Sequence, residues 1–185
     1  MSFAKFDTSL GALTSIVFNL KGTVEGIGRA ESEDNAASTV TLNLGSLLTL
    51  TRPDRSTLVV ANPVFTRIFD FTAFDGDVDY AGTSGGSTGR QSSTASESFA
   101  SRSHADFNLF SGPGSIMLNL KAVGASSAEG AGNLDTKFQT FASGSGTVTY
   151  NYTDSAIPEP ASLGIMGLGL GILALTRRRR AVKAA

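Results

Sequence analysis

Not one cysteine occurs among the 185 residues, which excludes disulfides and thiolate metal sites and leaves the domain to be held by its core alone. Tryptophan is absent too, and tyrosine is limited to Tyr80, Tyr150 and Tyr152. A sugar-binding face that stacks exposed rings on its ligand therefore has little to draw on. Tyr150 and Tyr152, two positions apart, share one face of any strand they occupy. The single histidine, His104, is the residue through which any serine–histidine–aspartate relay would pass, with Asp106 or another carboxylate orienting it. Its neighbours Ser101, Arg102 and Ser103 read as loop. Basic residues are scarce before the C-terminus: residues 1–160 carry ten Lys and Arg against sixteen Asp and Glu, a net of −6, and five more basic residues follow. The ten are scattered with no basic groove between aromatics, so nucleic acid is not an expected partner. Helical periodicity is missing as well, no segment before Pro158 sustaining it.

What the first 150 or so residues do have is alternation, over a length that makes one ordinary domain. Ile16, Phe18 and Leu20 alternate with Val17, Asn19 and Lys21, and Val40, Leu42 and Leu44 with Thr39, Thr41 and Asn43, as half-buried strands require. Similar runs at residues 48–51, 64–69, 116–121, 134–141 and 148–152 are rich in β-branched and aromatic residues and separated by Gly, Ser, Asn and Asp. Arg52-Pro53-Asp54-Arg55-Ser56 predicts a tight turn between antiparallel strands, with Pro53 setting φ and Asp54 bonding nearby backbone. Residues 81–103 are almost wholly Gly, Ser, Thr and Ala and read equally as a long loop or a thin edge strand. About eight strands without βαβ spacing predict an all-β body over residues 1–153, an antiparallel two-sheet sandwich of jelly-roll type.

The C-terminus is built differently. Pro158 and Pro160, with Glu159 between them, make residues 154–160 an extended hinge. Residues 161–176 then carry no charge and include Ala161, Leu163, Leu168, Leu170 and Leu175. Residues 161–175 as a helix span about 22 Å, short of the roughly 30 Å of a hydrocarbon core, and Gly164, Gly167, Gly169 and Gly171 weaken that helix further. Arg177, Arg178, Arg179 and Arg180 follow at once; by the positive-inside rule they hold residues 177–185 in the cytoplasm. The expected element is one short transmembrane helix with the domain outside and a basic stop inside.

Pro158-Glu159-Pro160, the short apolar segment and the arginine cluster together resemble the PEP-CTERM sorting signal of exopolysaccharide-producing Gram-negative bacteria. The resemblance implies that an exosortase, a membrane enzyme, recognises and processes this tail at the inner membrane. The body is similar to the choice-of-anchor E family in Phe6-Asp7-Thr8-Ser9-Leu10-Gly11-Ala12-Leu13, in Phe74-Asp75-Gly76 with Asp79-Tyr80-Ala81-Gly82, in Asp106 through Phe110 to Gly112-Pro113-Gly114, and in the closing Thr147-Val148-Thr149-Tyr150-Asn151-Tyr152. That family comprises secreted β-rich domains carried ahead of interchangeable sorting signals. A secretory leader should precede the Phe-Asp motif, and none is visible in these residues. The chain's start therefore reads as internal to a longer frame, or this copy is not exported. Residues 10–20 are apolar, but their alternation marks a strand better than a leader.

Among candidate sites, Asp75, Asp77 and Asp79 alternate and on a strand would share a face, where three carboxylates suit calcium. An EF-hand is excluded because its sixth and twelfth positions fall on Tyr80 and Gly86. Nothing in the sequence singles out a glycosidase carboxylate pair. Asn151-Tyr152-Thr153 matches a glycosylation sequon by chance within a strand, and residues 22–28 are no phosphate loop, lacking a following helix and a lysine. With no cofactor expected beyond that calcium, the reading is a non-enzymatic exported surface or matrix protein. It meets exosortase, the inner membrane through its C-terminal helix, and exopolysaccharide, and ends at the cell surface or outside the cell. The alternative is a carbohydrate-binding or carbohydrate-active domain using the same tail. Replacing Pro158 and Pro160 with alanine should let the tail helix extend upstream and hide the processing site. In a host with exosortase the double variant is then expected to accumulate at full length, and unchanged conversion to a shorter form, read by immunoblot, would count against the hinge.

Overall fold

Two long strands organise the body in the computed structural model, which describes residues 1–155. In chain order the elements are β1 (Ser2–Ala4), β2 (Gly11–Ser32), β3 (Ser38–Thr51), β4 (Thr57–Ala61), β5 (Val64–Phe71), β6 (Gly85–Ser87), β7 (Gln91–Ser101), α1 (His104–Phe110), β8 (Ser115–Met117), β9 (Asn119–Gly124), β10 (Ser127–Glu129) and β11 (Leu134–Asp154). Contacts divide the chain into units Met1–Thr153 and Asp154–Ala185. The expected membrane helix over residues 161–176, the sorting residues Pro158, Glu159 and Pro160, and the basic stop Arg177 to Arg180 lie outside the described residues. Among the described residues no helix is long and apolar enough to cross a membrane.

β3 is the centre of one antiparallel sheet. Along one side run β4 and β5, with Leu48 opposite Ala61 and Gly45 opposite Val64. Along the other run β9 and β10, with Ser46 opposite Gly124 and Asn43 opposite Ser127. Both flanking lines break at the same level, one at Pro63, which has no amide to give the ladder, and the other at Ala125. Ser46 patches the gap: it is fully buried, its amide donates to the Pro63 carbonyl at 3.2 Å and its hydroxyl to the Val123 carbonyl at 3.1 Å.

β2 is the centre of the second sheet, with β11 on one side and β6 and β7 on the other. Ile16 lies opposite Ser101 and Gly26 opposite Gln91, antiparallel throughout. The small-residue stretch 81–103 is thus an edge strand over most of its length. Residues 10–20 belong to β2, as their alternation predicts. The runs 134–141 and 148–152 merge into β11, because inward Gly144 lets the strand pass where a Cβ would stand 2.8 Å from Leu48 and 3.0 Å from Leu120.

The even-numbered faces of β2 and β3 meet. Ile16, Phe18 and Leu20 of β2 pack with Leu48 and Leu50 of β3, with Phe110, and with Leu118. A second cluster joins Ala30, Val40, Leu42 and Phe71. Between them the inward positions of β2 include Gly22, Gly26 and Gly28, where a Cβ on Gly28 would reach the Phe138 ring at 3.2 Å. Of the loop expected at Ser101 to Ser103, Ser101 instead closes β7, while Arg102 and Ser103 lie outside any element. Residues 104–110 form α1, a helix too short to show a period, capped by Ser103, whose hydroxyl accepts from the Ala105 amide. Phe110 at its end stands 5.0 Å from Phe18 and seals the core. At Gly26 an added Cβ would collide with the Gln139 backbone carbonyl. Gly26→Ala should therefore cost about 1–3 kcal/mol and lower the melting temperature by roughly 3–9 °C. Gly124→Ala, with nothing within 4 Å of the new methyl, should melt with the parent in the same thermal scan.

Candidate functional site

The densest polar cluster gathers at the end of the body where α1 begins. The predicted turn forms there: the Arg55 amide donates to the Arg52 carbonyl, Arg55 adopts φ 72°, and Asp54 accepts from the amide and hydroxyl of Ser56 at 2.9 and 2.7 Å. That turn aims Arg52 at Asp106 in the first turn of α1. The guanidinium donates through Nε to Oδ1 at 2.7 Å and through Nη2 to Oδ2 at 2.8 Å, the bidentate fork that fixes both groups. Ser101, closing β7, donates to the same carboxylate at 2.5 Å. Asp106 is buried, and the Arg52 hydrogen bond holds its carboxyl below the ordinary range, while Asp106 raises Arg52 in return.

A shallow groove of about 500 Å³ opens beside the pair, between Asp54, Ser56, Phe99 and Leu109. Its carboxylate is already neutralised and triply bonded, so it braces β7 and α1 rather than taking protons. The relay through His104 does not assemble. His104 is exposed on the first turn of α1 and sets its ring against Phe107, centroids 6.0 Å apart, whereas Asp106 faces Arg52 and Ser101. In the sequence the turn and the acid were both legible, but not that the fold brings together two positions 54 residues apart.

Asp75, Asp77 and Asp79 lie on a loop between β5 and β6, not on a strand, which removes the shared face that the calcium expectation relied on. Asp75 accepts from the amides of Asp77 and Thr83, each at 3.3 Å, and Asp79 from that of Ala81 at 2.9 Å. These are turn-forming bonds, and the Asp77 amide holds the Asp75 carboxyl below its usual range. Among the described residues no three Asp, Glu, His or Cys side chains stand close enough to hold a metal ion. The loop is tied down by a residue that the sequence did not mark. Glu31, fully buried near the end of β2 on the face opposite Ala30 and the core, accepts from the Ser84 hydroxyl at 2.7 Å and the Tyr80 amide at 2.6 Å.

Tyr150 and Tyr152 share a face, as their spacing predicts, and both pack in part, Tyr150 half-buried and Tyr152 40 % exposed. Both rings meet Phe6, at 5.7 and 5.1 Å, and the Tyr150 hydroxyl donates to the Ala4 carbonyl. The outer face of the β2 sheet is hydroxyl-rich, with Lys21, Glu25 and Arg29 interspersed: Thr23 pairs with Thr94 at 3.1 Å, Asn19 donates to Thr147 at 3.2 Å, and Asn151 donates to Ser15 at 2.9 Å.

Against known proteins, residues 156–180 match the family model described as the PEP-CTERM protein-sorting motif. That span includes Pro158, Glu159, Pro160, the apolar segment and Arg177 to Arg180, so the chain carries the sorting signal that its tail predicts. The motif supports export and surface sorting by an exosortase. The match ends there and takes in none of residues 1–155. Neither a curated protein nor a solved structure matches the chain.

Arg52→Ala would strand the buried Asp106 carboxylate and should destabilise the protein by about 3 kcal/mol, read by denaturant unfolding. The sign with pH follows from the depressed carboxyl. Its contribution is complete above the ordinary value of 3.8 and is lost as pH falls through that value and the lower native one. Between about pH 6 and about pH 3 the parent should therefore lose stability more steeply than Arg52→Ala.

Proposed function

We propose that this chain is a non-enzymatic surface or matrix protein, exported and then handed by its C-terminal signal to an exosortase. The body, read as a choice-of-anchor E domain with a sandwich of jelly-roll type, is the cargo, and it meets exopolysaccharide in the cell envelope and biofilm matrix. The sorting motif at residues 156–180 carries this reading. Two features of the body support it. Its buried acids serve as braces, Asp106 to Arg52 and Ser101, Glu31 to Ser84 and the Tyr80 amide. The outer face of its β2 sheet, where Ser, Thr and Asn of β2, β7 and β11 stand beside Lys21, Glu25 and Arg29, offers donors and acceptors to a hydrated polymer. The role needs no cofactor.

In this reading residues 161–176 hold the tail in the inner membrane while the arginines stay in the cytoplasm. Each arginine costs about 2.5–3.5 kcal/mol to place at the membrane centre, so four in succession stop a helix that is itself too short to stay. With a secretion leader supplied and exosortase present, the parent should be retained and trimmed. Replacing Arg177, Arg178, Arg179 and Arg180 with serine should release it untrimmed to the periplasm. Fractionation with a probe for the Ala185 end measures this, and equal retention of both proteins would overturn the arginine stop.

A further inference from the structure

β11 differs from every other edge line of the two sheets. The β6–β7 line carries Arg90 and Glu97 and is interrupted at Gly89, which has φ 65°. The β4–β5 line carries Arg67 and Asp70 and is cut at Pro63; the β9–β10 line carries Lys121 and Glu129 and is cut at Ala125 and Ser126. Charges, prolines and breaks of this kind stop a sheet edge from pairing with another chain. Among the described residues β11 is the end strand of its sheet, with β2 on one side only, and residues 138–153 hold no charge, no proline and no break. Its inner side is also incompletely covered. Val148 and Tyr150 stay half-buried, while Phe18 and Leu20 on the neighbouring β2 are 0 % exposed.

We propose that residues 143–153 of β11 form a homotypic docking edge, at which two copies of this chain pair β11 against β11, antiparallel and about a two-fold axis. The edge presents backbone donors and acceptors at strand spacing, which another extended backbone satisfies. The same strand turned through a two-fold supplies both sides of the ladder, and a strand without charge meets its own copy without like-charge repulsion. That a second copy is the occupant rests on the sorting reading: β11 leads directly into the tail at residues 156–180, so sorting would gather many identical edges on one membrane surface. Pairing extends each three-line sheet into a six-line sheet across the axis and covers Val148 and Tyr150.

The absence of cysteine makes the test direct. Single cysteines are placed on the exposed face of β11 in the full chain, purified in detergent, as Ser143→Cys, Ser145→Cys, Thr147→Cys, Thr149→Cys and Asn151→Cys. The opposite edge of the same sheet, β7, is probed for comparison by Ser92→Cys, Thr94→Cys, Ser96→Cys and Ser98→Cys. Two copies about a two-fold separate by about 6.8 Å for each residue moved from the axis, and a disulfide needs Cα atoms within roughly 7 Å. Cross-linking on β11 should peak at one position and fall at least about five-fold two residues to either side, while the β7 series stays at background. A second variant, Ser145→Lys with Thr149→Lys, should convert the dimer to monomer by light scattering with its melting curve unchanged. Even cross-linking along β11, a peak on β7, or a dimer indifferent to the lysines would overturn the proposal and place any association in the tail. None of these readouts involves export or trimming, so a failure here is distinct from a failure of the sorting reading.

Discussion

Everything in the body depends on the meeting of two strand faces, the even-numbered side of β2 and the even-numbered side of β3. Phe18, Leu20, Leu42, Leu48 and Leu50 are 0 % exposed, and a chain without cysteine has no covalent alternative to that burial. Packing of this kind is sensitive to volume in both directions. The glycines of β2 show why: Gly22, Gly26 and Gly28 sit where Leu48, the Gln139 backbone and Phe138 come closest. The two apolar clusters fill the ends, and the glycines set how closely the sheets approach between them.

The loops and the helix start that close over the strand ends need another device, because polar groups that leave the ladders must find other partners. Arg52, Ser101 and Asp106 join the β3–β4 turn, the end of β7 and the start of α1 in one hydrogen-bonded group. At the opposite end of β2, Glu31 does the same for Ser84 and Tyr80. A buried charge is costly without partners and specific with them. These acids therefore fix which loops close over which strand ends, while the apolar faces supply the driving force.

Strand character was legible in the sequence wherever one face was apolar. Ile16, Phe18 and Leu20 and Val40, Leu42 and Leu44 alternate and are buried in that pattern, and the turn at Arg52 to Ser56 formed with Asp54 as its brace. The edge strand β7 was ambiguous for a physical reason: its inward positions include Gln91, Ser93 and Ala95, so it has little apolar period to read. α1 spans two turns and is held by its cap and by Phe110, signals too local for periodicity. Asp75, Asp77 and Asp79 misled because alternation implies a shared face only on a strand, and theirs is a loop of side-chain-to-amide bonds. The tail was legible as a motif because its order of breaker, apolar segment and arginines is a linear signal that needs no fold.

That difference in legibility reflects two kinds of constraint acting on one chain. A sorting tail is read by a membrane and an enzyme as a string of local properties, so its proline, apolar and basic parts must stay in order but need no long-range partners. The body is constrained by distant pairs such as Arg52 with Asp106 and Glu31 with Ser84, which a linear reading does not join. Among the described residues its outer surfaces away from Glu31 carry no such buried pairs, and the outer face of the β2 sheet is joined there by exposed ones such as Thr23 with Thr94. An edge is the exception among surfaces. It exposes backbone, which no substitution removes, so a chain keeps it safe with charge, proline or a break, or else uses it. In β7, β5 and β9 the first course is visible in Glu97, Arg67 and Lys121. Over residues 138–153 of β11 it is not, and that uncharged stretch, which leads toward the sorting tail, is the edge left for use.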